Sequence, residues 1–231
     1  MTAPVPVPSS RRGPALRFVR RLRPRVPEVQ PGVDGRHLQL VHSDLGVLRS
    51  VAVPLTFTLF TRDAKPTHPL PDQLLTLWTD VTNAGGAVGF VPPVTAVDIR
   101  PRAEAHLTAI AEGRTRLLAG FAADGRLAAT AFLALNEHPL MRHWAWLYTV
   151  MVDPALQGRG YGADLLREAE DRARALGLEG LRLTCRGGEG LERFYASCGY
   201  KEIGRAPDAL RVATGDDRDE VTMLLPLPPG D

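Results

Sequence analysis

Apolar residues recur along the chain in two rhythms. Leu74, Leu75, Trp78 and Val81 share one face of a 3.6-residue period, so a helix is expected there, with Asp72 as its N-cap and Gly85-Gly86 as its stop. A second helix is expected from near Pro101, a favourable first-turn residue, with Leu107, Ile110 and Ala111 on its apolar side. Between them, residues 89–97 with Pro92-Pro93 read as a loop. The period then shortens to that of strands. Residues 116–122 and 126–135 flank Asp124-Gly125, a hairpin-turn pair, and a loop over 136–143 leads into an extended run over 144–152. Helical spacing returns over 160–176, with Leu165, Leu166, Ala169, Ala173 and Leu176 facing one way. A strand over 181–185, a short helix over 191–197 closed by Gly199, and strands over 200–204 and 220–225 complete the pattern. This order predicts an α/β chain with a mixed sheet and helices on its faces.

Upstream, residues 37–61 hold short β-branched stretches around Pro54. One or two strands are expected there, one of them at a sheet edge, because proline cannot donate to a ladder. Residues 1–35 are rich in proline and arginine, lack an apolar period, and read as a disordered tail ahead of a domain over 36–231 whose motif-bearing core is 72–225. The tail carries seven arginines against Glu28 and Asp34, so a chain of net charge +2 leaves its remainder slightly acidic. A basic arm for nucleic acid or an anionic membrane is the alternative reading. It is the weaker one, because the prolines interrupt any basic amphipathic helix. No apolar run approaches the ~18 residues of a membrane span, and Arg11-Arg12 lead into more arginines rather than an export signal, so a cytoplasmic location is expected. Cys185 and Cys198 lack metal or redox spacing and read as small buried hydrophobes; no metal site is expected. The excess of arginine over two lysines points to GC-rich coding and a bacterial source.

The stretch that carries chemistry is VMVDPALQGRGYGADLL, Val150 to Leu166. A strand ends at Asp153-Pro154, a glycine-rich turn follows from Gln157 to Gly162, and a helix starts at once. Physically this is a main-chain cradle for a diphosphate. Gly160 and Gly162 lack Cβ atoms, the helix start offers N–H groups without intrahelical acceptors, and Arg159 adds charge. Dinucleotide and nucleoside triphosphate loops also use glycines. The third glycine spacing of the former is absent, however, and no Lys-Ser or Lys-Thr pair follows as the latter requires.

With Val152, Pro154, Gln157, Gly160 and Gly162, the stretch resembles motif A of the GNAT acetyltransferases, V-x-P-x-x-Q/R-x-x-G-x-G/A. Downstream, LERFYASCGY resembles that family's helix ending in F/L-Y-x-x-x-G-F/Y, with Phe194, Tyr195, Gly199 and Tyr200. The resemblance covers about two-thirds of the chain and implies acetyl-CoA as co-substrate. It implies a strand pair that splays to admit the pantetheine arm, held by the main chain of Val150, Met151 and Val152. The diphosphate would be held over Gln157, Gly158, Arg159, Gly160, Tyr161, Gly162 and Ala163. It also implies Tyr195 as the acid that protonates the coenzyme A sulfur; the alternative is a core aromatic on a short helix.

An acceptor amine of pKa ~10.4 is almost wholly protonated at neutral pH, so a base or water chain is required. Some relatives place a Glu or His where this chain has Trp146 and Tyr148, which are not bases, so a water relay is expected. Glu137, His138 and His143 are weaker candidates. Gly188 stands where many relatives have an asparagine against the cofactor, with Arg186 a substitute contact. Trp78, Asn83, Phe90, Trp146 and Tyr148 are candidate linings of the acceptor pocket, Trp78 also reading as core. Asp80 and Asp98 are candidates to attract a cationic amine. The expected reaction is transfer of acetyl to a primary amine of a small molecule or protein by direct attack in a ternary complex. The alternative is a non-catalytic acyl-CoA-binding regulator. The acceptor is not fixed by the sequence, nor is the oligomeric state, for which a homodimer is one option.

Overall fold

The structure, a computed structural model, describes residues 54–228. Expectations for residues 1–53, including the arginine-rich tail and the domain boundary at 36, lie outside the described residues. Strand β1 (Thr56–Phe60) precedes two helices, α1 (Leu70–Asn83) and α2 (Ala96–Ala111). Three strands follow: β2 (Thr115–Phe121), β3 (Leu127–Leu135) and β4 (Trp144–Val152). Then come α3 (Tyr161–Ala175), β5 (Gly180–Arg186), α4 (Leu191–Ser197), β6 (Lys201–Ala213) and β7 (Asp216–Pro226). The seven strands of the described residues form one mixed sheet in the order β1-β2-β3-β4-β5-β7-β6. Among the described residues β1 lies at an edge, paired with β2 alone, two residues after Pro54.

The two helical faces of the sheet follow from side-chain parity. On one face, Leu118, Ala131, Leu133, Ala145 and Leu147 pack with Leu165, Leu166, Ala169 and Ala173 of α3 and with Tyr195 of α4. On the other, Leu117, Ala119, Phe132 and Met151 pack with Leu74, Trp78 and Val81 of α1 and Ile99, Ala103 and Ile110 of α2. Trp78 is 1% exposed and donates its indole N–H to the Val88 carbonyl at 2.9 Å, so the polar end of this large side chain is satisfied.

Several element boundaries differ from the sequence pattern. α1 starts one residue after Pro69, and Asp72 sits in its first turn rather than at its cap. α2 starts at Ala96, before Pro101, because Asp98 accepts hydrogen bonds from the Thr95 N–H (2.8 Å) and hydroxyl (2.6 Å). That capping contact outweighs the proline signal, and Pro101 is tolerated on the exposed side of the helix. Ala111 is exposed, and Ala103 and Ala109 take the buried positions instead. Leu176 caps the C-terminus of α3 and is 40% exposed.

The largest difference is the final hairpin. β6 and β7 run far beyond the expected 200–204 and 220–225, turning at Thr214-Gly215. Their outer halves have no apolar period to reveal them. They are joined instead by cross-strand pairs of Arg205 with Asp219 (2.8 Å) and Arg211 with Asp217 (2.7 Å). Among the described residues, no helix is long and apolar enough to cross a membrane.

Candidate functional site

The site begins as a failure of strand pairing. β4 pairs with β5 in parallel at three positions only, Trp144↔Gly180, Ala145↔Leu181 and Trp146↔Arg182. Beyond Trp146 the two strands part, while β4 stays bonded to β3. Against β3 the register jumps from Phe132↔Tyr148 to Thr130↔Met151, so Thr149 and Val150 together oppose one residue. This is a β-bulge, and Thr149 adopts φ 49° within it, a left-handed conformation uncommon for threonine. The bulge re-aims the tip of β4 and leaves its β5-facing edge without a ladder.

The opening widens into a cleft of about 810 Å³. Thr149, Val150, Leu183, Cys185 and Tyr195 line it at the splay. Residues 87–91 and the α2 side chains Arg102, His106 and Ala109 line another wall. Ala209 to Val212 of β6 and Glu220 of β7 line a third. The long hairpin therefore supplies part of the cleft.

At the tip of β4 the chain turns through a short 3-10 segment (Pro154–Leu156) into α3. Asp153 ties this turn down: its carboxylate accepts from the Ala155 N–H at 2.8 Å and pairs with Arg126. Gln157 reaches back to donate to the Val152 carbonyl at 2.9 Å. Gly158 and Gly160 then take φ 73° and 93°, left-handed values that disfavour any residue with a Cβ. The Gly160 carbonyl accepts from Ala163 and Asp164, closing the first turn of α3. The N–H groups of Gly158, Arg159, Gly160 and Gly162 have no acceptor among the described residues, and neither has the Arg159 guanidinium. Gly162 serves a different need from Gly160: a Cβ there would stand 3.1 Å from the Phe194 ring, which seats α4 against α3.

Tyr195 is 8% exposed, between Phe194 and Tyr200, and lines the cleft at the splay. Burial pushes its phenol well above the ordinary range, so it holds its proton. Cys185 is likewise pushed up, to about 11, by burial, and its thiol stays protonated at neutral pH. His106 is held neutral. Burial, and secondarily the Arg102 charge, lower it from 6.5 to about 4, with its ring packed 4.6 Å from Phe132.

That shift links folding to pH. The unfolded chain binds a proton at His106 below pH 6.5, whereas the folded chain does so only below about 4. Stability contributed here is therefore complete above pH 6.5 and lost as pH falls toward 4, on the order of 2–3 kcal/mol. Urea midpoints at pH 7 and pH 4 should separate wild type from His106→Phe by that amount at the acid end. Parallel losses in both proteins would refute it.

The family model described as the acetyltransferase (GNAT) family matches residues 89–200. Glucosamine 6-phosphate N-acetyltransferase 1 of Oryza sativa subsp. japonica is 34% identical over 113 residues, covering 48% of this chain and 67% of the relative. The chain belongs to the GNAT family. It is accordingly an acyltransferase. Solved GNAT structures share the fold. The GCN5-related N-acetyltransferase from Kribbella flavida superimposes with a TM-score of 0.58 at 21% identity, over 74% of this chain and 98% of that one. YncA of Salmonella typhimurium, determined with its cofactor acetyl-CoA, gives 0.58 at 18% identity, over 78% and 97%.

Within this GNAT fold the residues singled out in the sequence separate into groups. Val150, Trp78, Phe90, Tyr148 and Tyr195 come together on the cleft. Met151 is buried and directs its side chain into the α1–α2 core, Val152 packs against the other core, and neither is among the residues lining the cleft. Asn83 is occupied elsewhere: its amide donates to the Val94 carbonyl and accepts from the Val94 N–H, each at 2.9 Å. Trp146 stacks on Tyr148, meets Trp144 edge-on, and is not among the residues lining the cleft. Asp98 is spent on its helix cap. Glu137, His138 and His143 are exposed and away from the cleft. Gly188 takes φ 84° in the turn after β5, and Arg186 lines the cleft while pairing with Glu189 at 3.4 Å.

His106, Arg102, Arg211 and Glu220 were not legible beforehand. α2 has a weak apolar period, and the β6–β7 ribbon has none in its outer half.

Proposed function

We propose that this protein transfers an acetyl group from acetyl-CoA to a primary amine by direct attack within a ternary complex. One observation carries the reading: β4 leaves β5 after Trp146 and ends in a left-handed glycine turn with unpaired amides. A carrier with paired phosphates and an extended, amide-bearing arm suits both halves of that arrangement. Phosphate oxygens complement free N–H groups at a helix start, and an extended arm complements an unpaired strand edge. Bound acetyl-CoA supplies the acetyl group as an activated thioester.

In this reading the main chain from Gln157 to Ala163 holds the diphosphate, with Arg159 adding charge. The main chain of Val150, Met151 and Val152 holds the arm and orients the thioester carbonyl. Tyr195 donates its hydroxyl hydrogen bond to the departing sulfur. A nitrogen–carbon bond forms, the carbon–sulfur bond breaks, the amine loses one proton, and the sulfur leaves as a thiolate that accepts the Tyr195 hydrogen bond and takes its proton from solvent. Glu220 is the one carboxylate lining the cleft among the described residues, and it takes the amine proton through water. Its presence supports catalysis over the non-catalytic acyl-CoA-binding alternative.

Transfer through the protein is disfavoured, because the cleft's one thiol, Cys185, stays protonated. Mixing the protein with acetyl-CoA alone should therefore leave it unacetylated by mass spectrometry, and adding a usable amine should release thiol. Acetylated Cys185 would replace direct attack by a two-step route. Failure to bind acetyl-CoA would end the proposal.

A further inference from the structure

Among the described residues, four arginines line the cleft, Arg102, Arg114, Arg186 and Arg211, against a single carboxylate, Glu220. With His106 neutral, the side chains lining the cleft include more cations than anions, although the chain outside its first 35 residues is slightly acidic. Three of the arginines already have acid partners: Arg114 with Glu112, Arg186 with Glu189, and Arg211 with Asp217. Arg102 has neither an ion pair nor a hydrogen bond with any described residue.

A solvated arginine on a helix surface is commonplace. This one differs in its place. It lies on the α2 wall one turn before His106, and its charge bears on both His106 and Tyr148. Arg211 and Arg186 come to the same cleft from the β6 and β5 sides. A polycation entering this cleft meets Arg102 without a compensating acid and finds Glu220 as the one lining carboxylate among the described residues. A free guanidinium fork is instead matched by the paired oxygens of a phosphate or carboxylate.

From this we infer that the acceptor is an anionic amine, a primary amine bearing a phosphate or carboxylate, and that Arg102 holds its anionic end. The inference rests on the acetyl-transfer reading and narrows its acceptor. It differs from the expectation of a cationic amine attracted by Asp80 or Asp98. Asp80 is exposed and lines no part of the cleft.

The test uses matched pairs with the full chain: glucosamine 6-phosphate against glucosamine, phosphoethanolamine against ethanolamine, glycine against glycinamide, and spermidine as the polycation. In thiol-release assays the anionic member of at least one pair should have the higher kcat/KM, by roughly 10- to 100-fold. Whether a phosphate or the carboxylate pair responds identifies the anion. Arg102→Gln should bring the ratio within that pair close to one, acting through KM. Calorimetric titration of the same pairs into protein loaded with coenzyme A reads the preference without turnover. Equal use of both members in every pair, a preference for spermidine, or an Arg102→Gln ratio that stays intact would overturn the inference. Protein that binds acetyl-CoA but shows no anion preference refutes this inference alone. Protein that does not bind acetyl-CoA refutes the acetyl-transfer reading and this inference with it.

Discussion

Tyr195→Phe is expected to lower kcat by roughly 10²-fold or more while acetyl-CoA still binds. The side chain is almost fully enclosed, and its ring packs between Phe194 and Tyr200, so removing one oxygen preserves the packing. What is lost is the hydrogen bond to the departing sulfur. Burial raises the phenol above its usual range, which makes complete proton transfer to a thiolate of pKa ~8.5 unfavourable. Tyr195 therefore acts as a donor that keeps its proton, and the rate should show no alkaline fall attributable to it below pH ~10. Tyr200→Phe is the control. That hydroxyl is buried with no partner, so its removal should leave kcat intact and raise stability by about 1 kcal/mol in urea unfolding. If Tyr195→Phe matches wild type in single-turnover thiol release, Tyr195 is a core aromatic and no more.

Gly160→Val is expected to weaken acetyl-CoA binding about 100-fold. Gly160 is the N-cap of α3 at φ 93°, where a β-branched residue is strained, so the variant must turn its peptide to relieve the clash. Turning it re-aims the unpaired amides around it. Each charge-assisted hydrogen bond lost to a phosphate is worth roughly 1.5–3 kcal/mol, so losing one or two gives the stated effect. No atom outside the neighbouring residues lies within 4 Å of a Cβ placed there, so the loss comes from conformation and not from a clash with the core. Gly162→Val is the contrasting variant, since its Cβ meets Phe194 at 3.1 Å and should disturb the seating of α4 and the melting temperature. Calorimetric titration with coenzyme A, alongside thermal melts, distinguishes the two. Wild-type affinity in Gly160→Val would remove the turn from the binding site.

Much of the architecture could be read from local pattern, because buried faces impose a period that side chains cannot hide. Helices α1, α3 and α4, the β2–β3 hairpin and β4 all lie within a few residues of their expected places. The pattern misleads where a local signal competes with a stronger one, as where the Thr95–Asp98 cap starts α2 ahead of Pro101. It also misleads where no burial exists to write a period. The outer β6–β7 ribbon is exposed along most of its length and is joined by ion pairs whose partners lie 6 to 14 residues apart.

The glycine turn between β4 and α3 was determined by the sequence itself. Left-handed backbone and a helix start are properties of a few consecutive residues, and Gly158, Gly160 and the helix after them state both locally. The composition of the cleft was decided only by tertiary structure. Arg102 and His106 come from α2, Tyr195 from α4, Arg211 from β6 and Glu220 from β7, and they converge only after seven strands have paired. Strand order, and the bulge that parts β4 from β5, depend on contacts between distant segments. No local spacing of residues encodes which walls will face each other or what net charge they will enclose.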